Sequence, residues 1–338
     1  MCNNLQIIML RFIIAISLFI TFLLAGCSQF NSVQVIDFDK NKIEAKKLNI
    51  NSEGVDYAPF LLFDGKTLFF VSNREGSKLS AENAFSHDFW FAKMQNIDDL
   101  SFSTPEHSDK FDNFASIGIN TLFDEGSIVF SQDGKELFFT ACGRHDDMGG
   151  CDLYYSKKEN GNWSMPINLN ILNSMYWDAQ PTLTSDGSTL YFVSTRPINP
   201  KQKLLEISDK NIDLWVSHFN IEKNEWEQPK NFAPINTPGR EMSPFICKDD
   251  ITLIFASDYY QPNYGGLDLY ITRYDKTTNK WSKPENLGKS INTSGNEFLP
   301  AVSQDGKFMI YTSVDINSEN PKCNLFYAKF PESIIVSK

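Results

Sequence analysis

Five times along 338 residues the same punctuation recurs: an Asn, an acidic residue 5 positions later, and an Asp that opens a turn 8 positions after that. The Asn set is Asn51, Asn120, Asn173, Asn236 and Asn292. The acidic set is Asp56, Glu125, Asp178, Glu241 and Glu297, and the turn set is Asp64, Asp133, Asp186, Asp249 and Asp305. Offsets held through five copies without an insertion do not arise from composition. Each copy must be the same rigid piece of structure, so the chain is a repeat protein.

One copy reads as strands. After each acidic residue comes a short apolar segment, as in Phe60-Leu61-Leu62-Phe63, and then Asp-Gly in four copies, with Asp249-Asp250 as the departure. Asp-Gly between apolar or β-branched runs is a strong hairpin signal, because Gly accepts the positive φ of a tight turn. The second strands, such as Thr67-Leu68-Phe69-Phe70-Val71 and Thr189-Leu190-Tyr191-Phe192-Val193, are nearly continuous apolar runs, the pattern of strands buried on both faces. Third strands open at Asp88, Asp152, Asp213, Asp268 and Asn324. Fourth strands carry Trp163-x-x-Pro166, Trp226-x-x-Pro229, Trp281-x-x-Pro284 and the weaker Phe102-x-x-Pro105. Proline lacks the N–H that a central strand must donate, which makes the fourth strand an edge.

Four antiparallel strands ending in an edge, repeated at intervals of 69, 53, 63 and 56 residues, describe an all-β fold, a five-bladed β-propeller with six blades as the alternative count. Helical periodicity is absent after the N-terminal apolar run. Only 41 residues follow Glu297, enough for three strands and a tail without Trp-x-x-Pro. The N-terminal segment, Val33–Phe38, Ile43 and Ile50-Asn51-Ser52, is expected to supply the outer strand of the last blade and close the ring.

The N-terminus has another purpose. Arg11 precedes an uncharged apolar run, Phe12 to Ala25, too short for a comfortable span and ending in Leu24-Ala25-Gly26-Cys27, as a secretory signal does. The motif resembles the bacterial lipobox. That resemblance implies cleavage before Cys27, lipidation of Cys27, a signal over 1–26, a tether over 27–33, and a mature chain of 312 residues whose propeller covers 34–338. Ser28 is compatible with outer-membrane sorting by the same resemblance, without saying which side of the membrane. An ordinary secreted protein or an uncleaved anchor is the alternative.

A net charge of −11, from 31 basic and 42 acidic residues, argues against nucleic acid and anionic membrane surfaces as partners. Cys142 and Cys151 bracket a turn-rich stretch between strands. A loop-closing disulfide is one reading and a metal site with His145 another, though paired zinc-ligand spacing is missing. Cys247 and Cys323 read as small buried residues.

Ser131-Gln132-Asp133-Gly134-Lys135-Glu136-Leu137-Phe138-Phe139-Thr140, Thr184-Ser185-Asp186-Gly187 through Phe192, and Gly265-Gly266-Leu267-Asp268-Leu269-Tyr270 resemble the WD40-like β-propeller repeat. That repeat occurs in the Tol-system periplasmic protein and in bacterial envelope lipoproteins. The resemblance covers roughly residues 34 to 338 and is specific for fold, weak for function. It implies a tethered, monomeric interaction module of the cell envelope whose partner is an envelope protein or a peptidoglycan or glycan component, with no cofactor, no metal and no assigned chemistry.

The sharpest candidate site is the ring of Asp56, Glu125, Asp178, Glu241 and Glu297. Each starts an inner strand, and the ends of the second strands return Arg74, Arg144 and Arg196 to the same face. One reading is a mixed-charge rim that binds a cation, a sugar or a partner's side chains. The other is that these carboxylates hold blades together through backbone amides and the arginines. The third-strand Asp residues suit backbone capping, and the repeated Trp residues suit inter-blade packing better than sugar stacking. Nucleophile elbows, phosphate loops and zinc-protease motifs are absent. A carbohydrate-binding or glycoside-hydrolysing propeller is the alternative function, since paired carboxylates across a channel serve that chemistry, but here the acidic positions keep the blade symmetry. Insertions at Glu75–His87 and Pro197–Ile212 lie between second and third strands, on the rim face.

Overall fold

In the computed structural model the second strand of each blade is what the apolar runs demand: every residue of Thr67–Ser72, Thr189–Ser194 and Thr252–Ser257 is buried. The model describes Phe38, residues 43–80, Glu82, and residues 84–198 and 212–335. They all belong to the unit Phe38–Lys338; the signal, Cys27 and all of the expected 33–38 strand except Phe38 lie outside the described residues.

The Asp-Gly turns work as hairpins for a local reason. Gly65, Gly134, Gly187 and Gly306 take φ of 65°, 67°, 73° and 68°, and Asp250 takes 60° where the glycine is replaced. Asp tolerates the left-handed region better than most residues. The preceding Asp fastens the turn: Asp64 Oδ1 accepts the N–H groups of Lys66 and Thr67, and Oδ2 accepts the Thr67 hydroxyl.

Five antiparallel sheets result, so the fold is a five-bladed propeller. Blade 1 runs Asp56–Leu61, Thr67–Ser72, Asp88–Asn96, and then two short edge pieces, Ser101–Phe102 and Glu106–His107. Blade 2 begins at Glu125–Phe130, blade 3 at Asp178–Leu183, blade 4 at Glu241–Ile246 and blade 5 at Asn296–Val302. In blades 1 to 4 the edge strand is broken in two at its proline, which can donate nothing to the ladder. Blade 5 takes its fourth strand from the other end of the chain: Ala45–Lys47 pairs antiparallel with Asn324–Lys329, Lys46 opposite Tyr327. The ring therefore closes with an N-terminal strand, although the pairing residues fall later than the 33–38 run.

One element departs from the all-strand expectation. The connection into blade 2 contains a 3-10 turn, Ser108–Lys110, and a four-residue helix, Phe114–Ile117. Its purpose is packing, not periodicity. Phe114 is wholly buried and meets Phe69 of blade 1, Phe130 and Trp163 of blade 2, filling the wedge between them. Trp226 likewise reaches Phe138 of the neighbouring blade, and Trp281 packs on Phe232.

Candidate functional site

The repeated Asn residues act first as edge caps. Asn120 Oδ1 accepts the Phe89 N–H at 2.8 Å, and the Asn173, Asn236 and Asn292 amides pair with both backbone groups of Leu153, Leu214 and Leu269. Asn51 does the same with Leu325, across the ring closure. A side-chain amide thereby stands in for one more ladder residue, leaving no orphaned backbone group at the third strand's entrance.

Five residues later the acids turn back on the Ser or Thr that follows each Asn. Asp56 accepts Ser52 N–H and hydroxyl, and Asp178 does so from Ser174; Glu125, Glu241 and Glu297 receive the same pair from Thr121, Thr237 and Thr293. All five are buried with no exposed surface. The structure does bring the three arginines to them: Arg74 to Asp56 at 2.5 Å, Arg144 to Glu125 at 3.1 Å and Arg196 to Asp178 at 2.5 Å. Each guanidinium also lies over aromatic rings, Arg74 over Phe70 and Trp90, Arg144 over Phe139 and Tyr154, Arg196 over Phe192 and Trp215. In blades 4 and 5, where Tyr259 and Asp315 take the arginine's place, the serine opposite each acid donates to it instead, Ser257 to Glu241 and Ser313 to Glu297.

Blade 2 breaks this pattern. Ala141 stands opposite Glu125 where serine stands opposite the other four acids. Arg74 and Arg196 rest Nε on Ser72 and Ser194, whereas Arg144 Nε is buried without a partner. Burial pushes the Glu125 carboxyl up to about 8, against the opposing pull of Arg144 and Thr121. Burial raises Glu241 and Glu297 as well.

Beyond the acids the inner strands line the axis. In four blades the residue two after the acid has a left-handed backbone, Ala58, Gln180, Ser243 and Leu299 at φ of 50° to 57°, and a proline follows. Such a conformation costs on the order of 1–2 kcal/mol. Neighbouring blades hold it in place: Ala58 N–H donates to Thr312 Oγ1, Gln180 N–H to Thr140 Oγ1, and Ser243 N–H to Gln180 Oε1. Blade 2 has Gly126-Ser127-Ile128 instead, with neither proline nor left-handed residue. Along the axis these strands leave only about 30 Å³, room for water and nothing larger.

The residue one after the acid is Tyr57, Gly126, Ala179, Met242 and Phe298 in blades 1 to 5. The two small ones are neighbours, and there a cavity of about 200 Å³ opens off the axis. Tyr57, His87, Asp124, Glu125, Gly126, Ser127, Thr140, the Cys142–Cys151 bridge, Trp177, Ala179, Gln180 and Leu299 line it. Gly126 is required, since a Cβ there would meet Thr140 Cβ at 2.8 Å. Tyr57 Oη and His87 Nδ1 share a hydrogen bond of 2.9 Å, and the His87 N–H donates to Asp124 Oδ1 at 3.0 Å. Of these, the sequence singled out Cys142, Cys151 and Glu125 but not the cavity they share with the rest, although Gly126 beside its four bulkier or methyl-bearing counterparts was a signal.

Cys142 and Cys151 are bonded across adjacent strands, 4.0 Å between Cα atoms. His145 points into solvent, 3.9 Å from Asp146. Among the described residues no group of three His, Cys, Asp or Glu side chains is placed to hold a metal. The third-strand acids cap loops: Asp88, Asp152 and Asp268 accept the N–H groups of Lys78, Met148 and Tyr264. Among the described residues no helix is long and apolar enough to cross a membrane.

No family model matches the chain, and no curated protein matches it. Solved structures do. TolB from Acinetobacter baumannii has 13% identity over 84% of this chain and 56% of its own, at a TM-score of 0.42. A GH43_12 retrieved from a capybara gut metagenome has 14% identity over 85% of this chain and 53% of its own, at 0.50, and a thermostable family-43 glycoside hydrolase 12% over 82% and 95%, at 0.47. The class defined is a five-bladed propeller, and at these identities the likeness is one of fold.

Proposed function

We propose that this chain is a non-enzymatic interaction module of the bacterial cell envelope, anchored by lipid on Cys27, whose propeller, residues 34–338, docks a partner protein through its rim face. The observation that carries this is where large apolar side chains meet solvent. Of fourteen such side chains among the described residues, ten lie in the connections on the rim face: Leu79, Phe85, Leu122, Phe123, Met148, Ile171, Met175, Ile198, Tyr259 and Ile316. Scattered apolar residues need no explanation, but their concentration on one face marks an interaction surface. The buried acids and their arginines fit the scaffold role in this reading: they fasten each blade's entrance and hold the rim connections rigid. Anchor and compartment rest on the lipobox-like Leu24-Ala25-Gly26-Cys27.

Face-selective photocrosslinking of the protein extracted from membranes tests both parts. A photoreactive residue at position 123 or 175 is expected to form a discrete adduct with an envelope protein, one at 165 or 221 to form none, and the first peptide to carry a diacylated Cys27. Adducts from both faces alike, or from neither, sink the docking reading; an unmodified Cys27 sinks the anchor.

A further inference from the structure

We infer that the cavity at the mouth of blade 2 binds one neutral sugar unit of hexose size. Its size is one constraint. About 200 Å³ leaves room for one sugar ring. Its origin is built in: Gly126 and Ala179, small residues of adjacent blades, line it at the position that carries Tyr57, Met242 and Phe298 in the other blades.

The walls select the chemistry. Trp177 and Tyr57 offer aromatic surface, as ring C–H faces require, with Leu299 and the disulfide beside them. Around them stand polar atoms with no partner among the described residues: Asp124 Oδ2 accepts, Gln180 Nε2 and Trp177 Nε1 donate, and His87 Nε2 does one or the other. A hydroxyl both donates and accepts, so a sugar satisfies this mixed set. An apolar side chain entering the cavity would strip water from all four and replace none of those hydrogen bonds, a penalty charged in full. An anionic ligand would meet the Asp124 carboxylate, while the nearest cation, Arg144, is already committed to Glu125. A neutral sugar escapes both objections and matches the mixed donors and acceptors.

Saturation-transfer NMR and calorimetry with glucose, galactose, mannose and N-acetylglucosamine test this on the intact propeller. A ligand of about a dozen heavy atoms implies affinity near millimolar. We expect saturable binding of at least one sugar, weakened more than tenfold by Trp177→Ala. Ala179→Met, which installs the residue that blade 4 carries at the same position, is expected to abolish binding without lowering the melting temperature. Binding of none of the four, or binding that survives both variants, overturns the inference; a melting scan of each variant separates lost binding from lost fold.

Discussion

Glu125 is the residue at which the molecule departs most from its own symmetry, and its chemistry has a sign that can be measured. It is buried, its arginine sits one position later than in blades 1 and 3, and Ala141 lacks the hydroxyl that Ser257 and Ser313 donate to Glu241 and Glu297. Its folded-state pKa is raised from 4.5 to about 8. Between those values the folded protein keeps a proton that the unfolded chain has released. Stability contributed by this group is therefore full below about pH 4.5 and is lost as pH rises toward about 8. Urea unfolding across that window is expected to show the decline, and Glu125→Gln to flatten it. Ala141→Ser, offering the hydroxyl bond that Ser257 and Ser313 give, is expected to add about 1 kcal/mol at the alkaline end. A wild-type profile that rises with pH, or one that Glu125→Gln leaves unchanged, refutes the assignment. In the sequence the five acids were visible as a set with the arginines as candidate partners, but the opposing serine was not, because it lies 16 residues on, across the hairpin. The cavity was hidden for a similar reason: it depends on two small residues in different blades becoming neighbours.

Among the elements, strands were legible and the α-helix of the described residues, Phe114–Ile117, was not. A continuous apolar run bounded by Asp-Gly can only be a buried hairpin strand, so Thr67–Ser72 and Thr189–Ser194 appear where the pattern puts them. Four residues, Phe114–Ile117, are too few to show a helical period, and what holds them is aromatic packing rather than propensity. Phe114→Ala should therefore be expensive although it touches no repeat position. Removing a wholly buried ring that bridges Phe69, Phe130 and Trp163 is expected to cost about 3–5 kcal/mol in equilibrium unfolding. A loss under about 1 kcal/mol would show that the wedge between blades 1 and 2 closes without it. The left-handed residues at Ala58, Gln180, Ser243 and Leu299 were equally invisible, since their support comes from the adjacent blade.

On the scale of the whole molecule, closure and facing decide function. Blade 5 is completed by Ala45–Lys47 and by the Asn51 amide on Leu325, so the ring has no open seam in which a partner strand could add. The proposed docking would then use side chains and connections, and among the described residues the rim face carries most of the exposed large apolar ones. The measurement that bears most directly on this is quantitative co-isolation from detergent-extracted membranes with the wild type, the rim variant Phe123→Glu with Met175→Glu, and the opposite-face variant Ile221→Glu. The account predicts one envelope protein recovered equally with wild type and Ile221→Glu, and reduced at least tenfold with the rim variant while its melting temperature holds. Equal recovery with all three, or no envelope protein with any, would contradict it.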